Sequence, residues 1–111
     1  MTLINLTPHT INFVNAEGEP LMAIEPSGQL ARVTAHTITT GSVSVGDVTL
    51  QVTGTTYGDV EGLPAPEEGT IYIVSSLVAS RVPDRTDVFI PNESVRDDKG
   101  RIVGCKSLGR V

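Results

Sequence analysis

Thirty-five of the 111 residues are β-branched: 14 valines, 13 threonines and 8 isoleucines. Two heavy substituents on Cβ stiffen χ1, disfavour helix and suit a pleated surface. Eleven glycines and seven prolines supply the turns that such a chain needs. The sequence therefore predicts a mainly β fold of the α+β kind: an antiparallel sheet or a small β-barrel or sandwich, with one short helix near residues 75–82. The length suits a single domain, residues 1–111. Hydrophobic residues at 39% and charged residues at 19% give a globular balance rather than a disordered one. With no Trp and 4% aromatic residues, the core is expected to be aliphatic around Phe13, Tyr57, Tyr72 and Phe89. Stacking platforms for bases are scarce.

Alternation and breakers place the elements. Thr10 to Val14 and Pro20 to Ile24 flank the turn signal Asn15-Ala16-Glu17-Gly18, which predicts a hairpin. Leu30 to Val33 and Thr37 to Thr40 extend the sheet in a β-meander. Val43-Ser44-Val45 and Val48 to Val52 flank Gly46-Asp47, which predicts a second hairpin with a two-residue turn, type II′ because glycine comes first. Gly58 to Gly69 reads as an acidic, proline-stiffened surface loop. Thr70 to Val74 is the strongest buried strand, and Ser75-Ser76 can cap a short helix over 77–82 that ends before Pro83. Asp87 to Ile90 reads as a strand stopped by Pro91-Asn92. Val95 and Ile102-Val103 flank the turn Asp97-Asp98-Lys99-Gly100 in a last hairpin.

Charge and motifs exclude more than they select. A net charge of −5 argues against general nucleic-acid binding, which needs a basic surface. Residues 1–80 hold one basic and eight acidic side chains, whereas residues 81–111 hold seven basic and five acidic ones. An anion site would therefore draw on the last third. The start of the chain has no basic segment followed by an apolar run, and no stretch approaches the roughly 20 apolar residues of a membrane span. A soluble, cytoplasmic protein without membrane association is the expectation. The lone Cys105 lacks a disulfide partner and reads as a small buried hydrophobe.

No catalytic residue can be assigned. His9 and His36 belong to no metal-ligand pair, there is no Gly-x-Ser-x-Gly turn, and no phosphate-binding glycine loop follows a strand. Neither a metal nor a cofactor is expected. The acidic residues Asp59, Glu61, Glu67 and Glu68 lack calcium-loop spacing and serve solubility. Ser75 and Ser76 stand at a strand-to-helix junction, where free N–H groups favour negative charge. Together with Arg81, Arg85, Arg96 and Lys106 they are the candidate ligand-binding residues, since guanidinium groups bind phosphate bidentately. The plainer alternative pairs Arg81 and Arg85 with Asp84 and Asp87, and Arg96 and Arg101 with Asp97 and Asp98.

Three segments carry a resemblance: Asn5-Leu6-Thr7-Pro8-His9, then Gly62-Leu63-Pro64-Ala65-Pro66-Glu67-Glu68-Gly69-Thr70-Ile71-Tyr72-Ile73-Val74-Ser75, and finally Val95-Arg96-Asp97 through Gly100-Arg101-Ile102-Val103-Gly104-Cys105. They resemble a family of small proteins encoded by bacteriophages, prophages and bacteria, and the likeness spans most of the chain. It implies a phage-type accessory protein and supplies no catalytic residue. By analogy with oligomeric sponges that sequester nucleotide-derived immune signals, such as the Thoeris anti-defence proteins, one expectation is a non-enzymatic protein that self-associates and binds a small anionic ligand. The alternative is a structural or assembly protein of phage origin that acts through protein–protein interfaces and exposed strand edges.

Overall fold

A computed structural model describes residues 1–111. Its elements run β1 (Thr2–Asn5), β2 (Ile11–Val14), β3 (Pro20–Ile24), β4 (Arg32–Val45), β5 (Val48–Glu61), β6 (Thr70–Ile73), α1 (Ser76–Ser80), β7 (Val88–Arg96) and β8 (Ile102–Gly109). The fold is mainly β with one short helix, and no barrel closes. Six strands form one sheet in the order β1-β6-β7-β8-β2-β3, while β4 and β5 pair only with each other.

The predicted hairpins β2–β3, β4–β5 and β7–β8 all form, each antiparallel. The meander does not connect them. Parallel pairs β1–β6, β6–β7 and β2–β8 tie distant parts of the chain together and make the six-stranded sheet mixed. The run Ile71 to Val74 shows why β6 sits inside. Tyr72 and Val74 join one apolar cluster with Leu6, Ala31, Val78, Ala79 and Val88. Ile73 points the other way, into a cluster with Ile11, Phe13 and Cys105, as the two-residue period of a strand requires. A strand covered on both faces needs the continuous apolar run that the sequence displays. The sheet curls enough to bring Leu3 of β1, Phe13 of β2 and Ile24 of β3 to the same cluster.

Several boundaries differ from the sequence reading; the helix, for one, covers Ser76–Ser80 rather than residues 77–82. Gly58 to Glu61 are not loop but the end of β5, where Val60 pairs with Val33 and both pack on the first cluster. Nor does Pro91 stop β7, which continues to Arg96. The β6 partner ends at Ile73, opposite Phe89, so beyond that point β7 has only β8 beside it. Proline is tolerated on such an edge because a missing N–H on the vacated side removes no ladder bond.

The largest feature outside the sheet is the ribbon of β4 and β5. Each strand has 14 residues, against the usual 5 or 6 or so. Its root is fixed by Val33 and Val60, and Gly62, at φ +82°, passes so close to the Leu30 carbonyl that a Cβ would collide with it. Its turn is Gly46-Asp47. Gly46 has φ +60° and Asp47 does not share the positive φ, the pattern of the expected type II′ turn. Every residue from 35 to 53 is exposed. Tyr57, an expected core aromatic, is 46% exposed on this arm. The molecule is correspondingly elongated, at 57 × 40 × 23 Å.

Candidate functional site

The residues proposed for an anion site begin at α1. Ser75 is the N-cap, and its Oγ accepts a hydrogen bond from the Val78 N–H at 3.3 Å. Ser76 opens the helix, which has only 5 residues. Arg81 caps the other end through its backbone N–H, while its side chain borders an open depression of about 450 Å³ beside Gly58, Asp59 and Val60 at the arm root.

Arg85 is already occupied. Its guanidinium donates to both carboxylate oxygens of Asp87, at 2.8 and 2.9 Å, and to the Pro64 carbonyl at 2.9 Å. The hydrogen bond from Arg85 holds the Asp87 carboxyl below its ordinary value, against the opposing effect of burial. The pair staples the loop before β6 to the start of β7.

Arg96 and Lys106 lie elsewhere. Arg96 stands eight residues beyond Val88 along β7, about 25 Å at the usual strand rise. Its guanidinium donates to the Gly100 carbonyl at 2.7 Å. Lys106 borders an apolar depression of about 290 Å³ with Leu3, Phe13, Leu21, Met22 and Leu108, against the second cluster rather than beside α1. Ser75, Ser76 and Arg81 thus share one short helix, and Arg96 and Lys106 do not join them. Of the ion pairs weighed from sequence, Arg85–Asp87 and Arg101–Asp97 form. The turn at Asp97 is ordered by that carboxylate, whose Oδ1 accepts from the N–H groups of Lys99 and Arg101.

The segment Asn5 to His9 is an architectural knot. Asn5 is 1% exposed. Its amide donates to the carbonyls of His9 and Ile24, at 2.7 and 3.1 Å, and its Oδ1 accepts from the N–H and Oγ1 of Thr7. It therefore joins the end of β1 to the end of β3. Cys105 is 4% exposed, and burial pushes its thiol pKa up. No three His, Cys, Asp or Glu side chains gather closely enough to hold an ion.

The arm presents the surface least explained by the chain's own packing. In an antiparallel ladder, directly opposed residues share a face. The pairs Val45–Val48, Val43–Leu50 and Gly41–Val52 therefore lie on one face, and Ser44–Thr49 and Ser42–Gln51 on the other. A bulge between Thr39 and Gly41 shifts the register, so Ile38, opposite Gly54, continues the apolar face. Ile38, Val43, Val45, Val48, Leu50 and Val52 are 42–59% exposed there. The opposite face carries Thr37, Thr39, Ser42, Ser44, Thr49, Gln51, Thr53 and Thr55. Between Val33 and Gly58 the only formal charge is Asp47, in the turn.

The alternation of 43–45 and 48–52 gave the hairpin from sequence. Its freedom from the body was missed, and the signal that could have found it is the 25-residue span from 33 to 57 with a single formal charge. A mainly β body that projects a one-faced apolar ribbon defines the structural class. No family model, curated protein or solved structure matches the chain.

Proposed function

We propose that the protein is a non-enzymatic structural or assembly protein, of the phage-derived kind its sequence resembles, working through protein–protein contacts of the β4–β5 arm. The observation that carries this reading is the exposed aliphatic face running from Ile38 to Val52. A two-stranded hairpin is marginal in water by itself. Six partly exposed aliphatics leave roughly 500 Å² of surface on one face, within the size range at which contiguous apolar patches are often functional. The sequestering alternative draws less support, since Arg85 is held by Asp87 and the remaining cations are dispersed over one chain.

The test is sedimentation of lysate from cells that express the full chain from its natural locus. The native chain is expected to sediment faster than a single subunit. Leu50→Lys should shift it to the top of the gradient, while Thr49→Lys, on the other face, should leave it in place. A native chain that sediments as a single subunit and carries a stoichiometric nucleotide-sized mass would overturn the assembly reading and favour sequestration.

A further inference from the structure

We infer that the arm's apolar face is covered by the same face of a second copy, in a two-fold, face-to-face ribbon pair. This rests on the assembly reading and names its partner. Two faces of roughly 500 Å² pressed together bury about 1,000 Å², the threshold for a specific interface, before the ribbon edges add anything. The electrostatics favour self-apposition over most other seats. Residues 1–80 carry seven more acidic than basic side chains, so bringing two copies together along most of that surface sets like charges against each other. The ribbon avoids this, because Asp47 in its turn is the only formal charge between Val33 and Gly58.

Shape leads to the same partner. The paired valines Val45–Val48 and the Val43–Leu50 pair make a short, even row of branched side chains with no glutamate, lysine or arginine among them. Such a row interdigitates with an identical one across a two-fold axis, each residue meeting its counterpart region on the other copy. His36 and Thr56, paired on the same face nearer the root, mark where the apolar row gives way to polar groups at the rim.

The competing seat for a second copy's arm is the depression at Leu3, Phe13, Leu21 and Met22, where Leu21 and Met22 are 63% and 54% exposed. That arrangement is head-to-tail and need not stop at two copies. One set of variants separates the two geometries, because a substitution on a two-fold face occurs twice per interface.

Sedimentation equilibrium of the purified full chain is the experiment, with Leu50→Lys, Val43→Lys, Thr49→Lys and Met22→Lys beside it and circular dichroism to check folding. The expected result is a native oligomer that both arm-face variants weaken by about a hundredfold or more, with Thr49→Lys and Met22→Lys close to native. A native chain that stays monomeric overturns the second-copy inference. The assembly reading then stands or falls separately on the arm-dependent sedimentation in lysate. An oligomer dissociated by Met22→Lys as strongly as by Leu50→Lys overturns the face-to-face geometry, and one indifferent to Leu50→Lys overturns the role of the arm. Should the lysine variants misfold, Leu50→Thr and Val43→Thr, which place a strand-favouring but more polar residue on the same face, supply the same comparison.

Discussion

Arg85 and Asp87 are only two residues apart, yet their contact reaches beyond the local chain because the same guanidinium also holds the Pro64 carbonyl. The pair is mostly shielded, with side chains 21% and 16% exposed. Asp87→Ala should cost about 1.5–3 kcal/mol, the range for hydrogen bonds to charged groups, measured as the loss of unfolding free energy in urea. Acid should expose the same contact. The Asp87 pKa is lowered in the folded chain, so its contribution is complete above the ordinary carboxylate range and is lost as pH falls through the lowered value, below about pH 4. The Ala variant should accordingly lose less stability than the native chain over that window. Asn5 should matter more. With four hydrogen bonds made by a side chain that is 1% exposed, Asn5→Ala is expected to cost about 2–4 kcal/mol, by leaving the Ile24 and His9 carbonyls without their donor. The same denaturant titration checks it, and a change under 1 kcal/mol or so would remove Asn5 from its role as a clasp.

Among the elements, the helix and the arm sit at opposite extremes. Val78 and Ala79 bury α1 against the first cluster, so Ser75→Ala should loosen it by about 1 kcal/mol, the usual worth of an N-cap. A thermal melt reads that loss. What the sequence revealed follows the range of the physics involved. Hairpins β2–β3, β4–β5 and β7–β8 depend on neighbouring residues and turn chemistry, and each was legible. The Ser75 cap and the buried run at β6 were legible for the same reason. The parallel pairings were not, because Thr2 opposite Thr70 and Phe13 opposite Cys105 are set by the closure of the whole sheet, which leaves no local trace. Of the candidate site, residue types suggested an anion pocket in the last third. Sequence proximity could not reveal that Arg96 sits at the far end of a nine-residue strand from Val88, or that Arg85 has a carboxylate to itself. The apolar face of the arm was present in the alternation of Val43 to Val52, but alternation alone does not say whether the partner is in the same chain.

For the molecule as a whole, folding and association are expected to be linked. If the arm is covered by another copy, association stabilises the folded state by mass action. The melting temperature should then rise across about a hundredfold increase in protein concentration, as read by calorimetry, and the rise should disappear in Leu50→Lys. The thiol offers a second reading of the whole fold. Cys105 lies 4% exposed in the sheet, and its pKa is raised by burial. Alkylation should therefore be slow in the native chain and fast in denaturant, and rapid native labelling would mean that β8 opens readily from β2.

The strand order carries a kinetic consequence. β8, the last of these strands in chain order, lies inside the sheet between β7 and β2, so hairpin β2–β3 has no strand of the sheet to pair with until β8 has been made. The arm closes across a two-residue turn and can form on the microsecond scale of a hairpin, while pairings spanning most of the chain are slow. During synthesis, a finished sticky ribbon would therefore hang from an unfinished body. In a crowded polysome, the first surface that one nascent chain could offer another would be that ribbon.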